Sequence, residues 1–387
     1  PPALPRPFLQ AQDMTSLTEL WQAAITWLAT HAVTPTVHWL DIAQAAGDPR
    51  EIAEAVLIAG LQLFLIAGVM RPLESLFPAE RWSDRRLTTV DRNYTLLMLL
   101  GLFPLFSFLV LMPFASMLGG GPAAEEATGL KHWVPWFADH PVALFLVYYV
   151  VYDLVYYWMH RAQHVIPWWW AMHSMHHSQR QMSCWSNDRS HYLDGMLQSF
   201  ILATVGLAMG VEPSEFALLG LLSELVQNFS HANVRLRLGW LGRVGERVLV
   251  GPLFHRHHHM LRDPERPTRH NCNFGQVLPW WDMLFGTALY TDEPVRPTGV
   301  SDPEVDADNE RGLVAMQWHT LKRFWGAFRR REGWRLGDVS FGPGYRPIHD
   351  DDGAQPHPAA GAAAVTGAAG VAPTAPGSAA SAPRTTR

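Results

Sequence analysis

Cysteine is almost missing from this chain. Cys184 and Cys272 are the only two in 387 residues, and neither lies in a CxxC pair. That spacing argues against a disulfide framework and against a cysteine-built metal site. Charge is scarce as well. Charged residues make up 17% of the sequence, against roughly 25% in an average soluble domain. There is no basic excess either: the net charge is −5 and the pI about 6.5, so no nucleic-acid footprint is expected. The opening PPALPRPFLQ lacks the basic and apolar regions of a signal peptide, and membrane insertion is expected to rely on internal segments. No internal repeat is found.

What the chain does have is long apolar runs. Residues 52 to 70, Tyr94 to Leu118 and Pro141 to Met159 each approach the length that crosses a bilayer, and the second carries no charge. A fourth run from Met196 and a shorter fifth from Phe216 are separated only by Glu212-Pro213-Ser214-Glu215, which reads as a tight helical hairpin. The expected fold class is therefore all-α, a multi-pass integral membrane helical bundle of about four to five membrane helices. Arg71, Arg81, Arg85, Arg86 and Arg92 lie between the first two runs. Lys131 and a glycine-rich stretch lie between the next two. The positive-inside rule then sets the first loop in the cytoplasm and brings the end of the third run, at His160, to the same side. Trp168-Trp169-Trp170 and Trp280-Trp281 suit an interfacial belt or an ordinary aromatic core. Four regions are expected: a partly amphipathic N-terminal segment (1–45), a membrane-embedded domain (46–300), a cytosolic extension (301–349) and a disordered Ala/Pro/Gly-rich tail (350–387).

Histidine is the second surplus. Of 19 histidines, 12 fall between positions 160 and 270. They form three clusters: His160/His164, His173/His176/His177, and His255/His258/His259 with His257 inserted. On a helix, positions i, i+3 and i+4 share one face, so each cluster aims its imidazoles in one direction. A lone histidine is usually a satisfied core or surface residue. Three clusters of this spacing are different, because packing so many imidazoles without a cation strands buried donors and acceptors. Neutral imidazole ligates iron, copper, nickel or zinc. Eight or more ligands exceed what one ion accepts, so two metals are expected. No HExxH occurs, which disfavours a zinc protease, and the stretch 160–190 has no Glu, which disfavours a carboxylate-rich di-iron bundle.

The ordered set of boxes resembles the fatty acid hydroxylase / sterol desaturase superfamily. The resemblance runs over about residues 140 to 290, from Asp153 through Tyr156-Tyr157-Trp158 and His160-Arg161-Ala-Gln-His164 to HSMHHS (His173 to Ser178) and Arg189-Ser-His191. It continues in Phe229-Ser-His231-Ala-Asn233, Phe254 to His259, Asn273-Phe274-Gly275 and Trp281 to Thr287. It implies a helical membrane enzyme with a cytosolic cap carrying the boxes over a di-iron centre. Two Fe ions are the implied cofactor, O2 the cosubstrate, and a ferredoxin or a cytochrome b5-like protein with its reductase the external electron donor. Carried over by position, the implied ligands are His160, His164, His173, His176, His177, His255, His258 and His259, with His231 and His191 as additional ligands. His257 and His270 stay unassigned.

The residues leave some roles open. Asp153, two turns before His160, could accept the second N–H of a ligand imidazole, or pair with a buried Arg or Tyr. Arg161, Arg189 and Arg256 could form ion pairs, meet an anionic headgroup, or serve only as inside positive charge. Glu224, Asn228 and Asn233 could line the metal cavity. The expected activity is O2-dependent hydroxylation, or desaturation, of a lipid C–H bond, in a bacterial cytoplasmic membrane with the boxes facing the cytoplasm. A fatty acyl or polar lipid is expected, with sterol, ether-lipid and carotenoid substrates as alternatives. A metal transporter predicts ligands at the midplane of several spans, and a haem carrier predicts isolated histidines inside them. Neither pattern fits. The sequence does not decide the exact lipid, the position attacked, the donor or the oligomeric state.

Overall fold

The computed structural model describes residues 11–42, 48–117, 129–211, 213–236, 242–261, 272–291 and 295–336. His270, the glycine-rich stretch and the tail from Asp350 lie outside them. Among the described residues the structure is helical, with no strand and only two isolated bridges.

Helix α1 (Ala11–Leu28) folds back on α2 (Pro49–Leu76), which is followed by α3 (Arg86–Leu111) and α4 (Pro141–Val165). A short α5 (Pro167–His177) turns off the end of α4, and α6 (Tyr192–Met209) and α7 (Pro213–His231) follow. Helices α2, α3, α4 and α6 are the four that are long and apolar enough to cross a membrane. The fifth apolar run is helical, as α7, but is not among those four.

The first span is longer than its apolar run, because proline does not stop it. In α2 the helix passes Pro72 and ends at Leu76. Proline lacks an N–H and its ring crowds the carbonyl four residues back. Each time, the helix opens into a wide π-turn just before the proline: Ile66–Met70 before Pro72, Met98–Leu102 before Pro104, and Ser107–Leu111 before Pro113. This is the usual way a helix absorbs the missing bond. Where a stop is needed, the chain uses other chemistry. Ile166, forced into an extended conformation by Pro167, ends α4, and Pro167 opens α5 at the first helical position. Gly210, left-handed at φ 72°, ends α6.

The outward faces of the spans are apolar, as at Phe64 and Leu146, whereas polar groups point inward. Inside the bundle, Gln62 of α2 donates to Asn228 of α7 at 3.0 Å. The fully buried Glu74 accepts from the Cys184 and Asn233 amides at 2.8 and 2.9 Å, so one carboxylate ties the end of α2 to two distant loops. Beyond the spans lie α8 (Pro252–His258), α9 (Trp280–Leu284) and α10 (Leu313–Phe328). Helix α10 packs on α5, where Phe324, Phe328 and Trp334 surround Trp168. The tryptophan run is thus divided. Trp169 and Trp170 are buried, whereas Trp280 is 43% exposed.

Candidate metal centre

Four separate stretches of chain meet where α4 ends. His160 and His164 stand on its last turns, His173, His176 and His177 on α5, His231 at the end of α7, and His255, His258 and His259 on and just after α8. All nine side chains are buried. They sort into two groups. Ligand atoms of His160, His164, His173, His177 and His258 lie within 4.8 Å of one another, as do those of His176, His231, His255 and His259. The groups adjoin: the rings of His177 and His259, one from each, stack at 4.2 Å.

Hydrogen bonds fix the tautomers. A backbone carbonyl can only accept, so Nδ1 must carry the proton where it meets one. That holds for His160 toward Phe274 O and His258 toward Cys272 O, both at 2.8 Å, and for His231 toward Gln227 O at 2.8 Å. His173 Nδ1 faces Asp194 Oδ2 at 3.3 Å. In each of these four rings Nε2 is left bare and turned to its group, which is how a metal-ligating histidine is normally oriented.

The remaining nitrogens fit poorly with one another and well with cations. His164 and His177 approach Nε2 to Nε2 at 3.1 Å, and His231 Nε2 lies 3.1 Å from both His176 and His255. His173 Nε2 and His258 Nε2 are buried with no hydrogen-bond partner. Burial, reinforced by neighbouring imidazoles, holds His176, His177, His255 and His259 well below the ordinary histidine range. Burial pushes His231 down to about 4 and His258 to about 3. Converging, neutral, nitrogen-only donor sets of five and four suit two transition-metal ions such as iron. A cation in each group would take the lone pairs that otherwise stay unmatched.

His191, the tenth candidate, is placed elsewhere. Its Nδ1 accepts from Leu193 N at 3.2 Å and caps α6, outside both groups. A side chain that begins a helix is committed to that helix's free amides. Asp153 also departs from expectation. Its carboxylate accepts from Val277 N, Leu278 N and Trp281 Nε1 at 3.0, 3.1 and 2.9 Å, and so binds a loop rather than an imidazole, Arg or Tyr. That loop is the one that presents Phe274 O to His160. Asp282 clamps the same loop through the Phe274 and Gly275 amides at 2.8 and 2.7 Å. Gly275 is required there, since a Cβ would meet Leu278 O at 2.7 Å.

The carboxylate that does reach an imidazole is Asp194, a single acid in an apolar run that the sequence reading passed over. Its spacing gave a signal, since it lies three residues past His191 in the first turn of α6. It also accepts from Gln163 Nε2 at 2.8 Å and Trp169 Nε1 at 2.7 Å, which lock it in place. Two of the three arginines form ion pairs, Arg189 with Asp91 at 3.2 Å and Arg256 with Glu80 at 2.8 Å. Arg161 lies over the Trp158 ring. Asn228 and Asn233 are used in packing, Asn233 through Glu80 N and O. Trp170 and Phe274 wall the five-imidazole group, each within 5.3 Å of two or more of its rings.

Comparison with known proteins agrees in kind. Residues 145–287 match a family model described as fatty acid hydroxylase. An alkylglycerol monooxygenase of Homo sapiens is 30% identical over 219 residues, covering 55% of this chain and 44% of that protein. An ornithine lipid hydroxylase of Rhizobium tropici is 27% identical over 159 residues, covering 41% and 44%. A delta(7)-sterol 5(6)-desaturase of Gibberella zeae is 25% identical over 142 residues, covering 37% and 40%. The chain spans less than half the length of these relatives. No solved structure matches it.

Proposed function

We propose that this chain, whose residues 145–287 match a fatty acid hydroxylase family model, is a membrane oxidoreductase that hydroxylates a C–H bond of a lipid at a di-iron centre. The observation that carries this reading is the convergence of nine buried imidazoles into two adjoining groups at the end of the apolar helix α4. The ligands are His160, His164, His173, His177 and His258 for one ion, and His176, His231, His255 and His259 for the other. Bound iron supplies the activation of dioxygen. The reaction balances as R–H plus O2, two electrons and two protons giving R–OH and water, with the electrons from an external carrier such as a ferredoxin or a cytochrome b5-type protein.

The protein's own part is orientation and dryness. Asp194 and the Phe274, Cys272 and Gln227 carbonyls hold protons on Nδ1, so the Nε2 lone pairs stay free for metal. Trp170 and Phe274 exclude water. The spans bring an acyl or alkyl chain to the centre from the bilayer side. The histidine-bearing end lies on the cytoplasmic side, where a soluble electron carrier has access.

The test is metal analysis of the purified protein together with mass spectrometry of lipids from cells with and without it. Two irons per chain, and a lipid heavier by one oxygen atom that disappears in His176→Ala, are expected. A lipid lighter by two hydrogens would make the enzyme a desaturase. A lipid profile indifferent to His176→Ala would overturn the assignment.

A further inference from the structure

Below the centre, a column of polar side chains runs between helices that are otherwise apolar. Tyr149, Tyr152 and Tyr156 lie on the face of α4 that ends in His160, at helical spacing. Ser223, Glu224 and Gln227 of α7 lead in the same way to His231. Tyr149 is hydrogen-bonded to Ser223, and Tyr156 to Gln198 of α6 at 3.2 Å and to Gln276. At the middle of the column Glu224 faces Asp188, from the loop before α6. Glu224 accepts only from neutral amides, Asn187 Nδ2 at 2.6 Å and Gln227 Nε2 at 3.4 Å. Among the described residues no Lys or Arg pairs with either acid.

Three features say that this column receives something. The three tyrosines and both acids are only partly buried, so neighbouring helices do not close over the column. Asp188 Oδ2 is sealed from solvent and has no partner. Gln276 is 5% exposed, and its Oε1 is likewise unmatched. Every unmet atom is an acceptor. An alkyl chain against these atoms would leave them unsatisfied at considerable cost.

We propose that Asp188 and Glu224 form the headgroup subsite of the substrate, binding a lipid head that brings O–H or N–H donors. This rests on the hydroxylase reading and refines it. Seven residues along α7 separate Glu224 from His231, about 10 Å of helix. A head fixed at the acid pair therefore sets which carbon reaches the imidazoles. The oxidised position is counted from the head, whatever the chain length.

Binding and regiochemistry test this separately. Purified full-length protein would be titrated with a tritiated long-chain alkylglycerol bearing a free diol, in competition with its diacetate and with an alkylammonium of equal length. The expected result is that a donor head outcompetes the diacetate about tenfold or more, and that Glu224→Gln and Asp188→Asn abolish the preference. A diol winner identifies a neutral head and an ammonium winner a cationic one, and either supports the subsite. Equal binding of all three, or a preference unchanged in both variants, overturns it. In turnover, the hydroxylated carbon should keep its distance from the head across a chain-length series and scatter in Glu224→Gln. A position that tracks the methyl end would also sink the proposal. Loss of turnover with the binding preference intact would instead count against the hydroxylase reading alone.

Discussion

The two imidazole groups are built from the same residue type a few ångströms apart, yet they are held differently. In the five-membered group three rings are tied from behind: His160 by Phe274 O, His258 by Cys272 O and His173 by Asp194. In the four-membered group His231 has such a tie, to Gln227 O, while His255 Nδ1 and His259 Nδ1 are buried without partners, as is His164 Nδ1 alone in the first group. Outer hydrogen bonds fix ring orientation and raise ligand basicity. More rings of the first group are therefore held in place by the protein itself, and under the proposed di-iron reading the second would depend more on its metal.

The comparison can be broken most forcefully where the groups touch. His177→Ala removes a ligand of the first group and the ring stacked on His259, so both groups fail together. Activity should fall below detection, and bound iron below one per chain by metal analysis. A variant that keeps two irons would show that His177 is packing only. Next in size is Asp194→Asn, which loses the carboxylate behind His173. Metal affinity at the first group should weaken roughly 10- to 100-fold, measured by competition with a chelator. The second group should be unaffected, because Asp194 touches none of its rings. In the wild type the same titration should show two stages, with the less-supported group emptied first. A single cooperative loss would refute the asymmetry.

Acid separates the groups less but reaches both. Without metal, His176, His177, His231, His255, His258 and His259 have pKa values below their unfolded value of about 6.5, His231 at about 4. Between those values the unfolded chain binds more protons than the folded one, so stability rises with pH through this window. The metal-free protein should therefore lose thermal stability steadily as pH falls from about 6.5 toward 4. A melting temperature flat across that range would mean that the imidazoles are already hydrated.

The sequence carried the gathering of the imidazoles because helical spacing is local: HxxxH and HxxHH must share a face wherever they sit. It also carried the spans, since apolar length is local too. It did not carry the partners of the ligands. Which carboxylate reaches His173 depends on how α6 lies against α5, and spacing from His160 pointed to Asp153 instead. Nor did it reveal that His191 would be taken by a helix start, or that prolines inside the spans would be absorbed by wide turns. Each of these is settled by tertiary contact rather than by pattern.

Asp153 supplies the finest test, because its influence on the first group is indirect. It grips Val277, Leu278 and Trp281, and the loop it grips sets the Phe274 carbonyl against His160. Asp282 holds the same loop from its other side. Asp153→Asn keeps the volume but turns one acceptor oxygen into a donor facing N–H groups, which should destabilise the fold by about 1–3 kcal/mol. Because Asp282 remains, Phe274 O should stay near His160, and iron affinity should drop only a few-fold, well short of Asp194→Asn. Thermal unfolding and chelator competition on the same preparation read the two effects apart. A loss of iron as severe as in Asp194→Asn, without loss of stability, would mean that Asp153 acts on the metal directly, as its spacing from His160 first suggested.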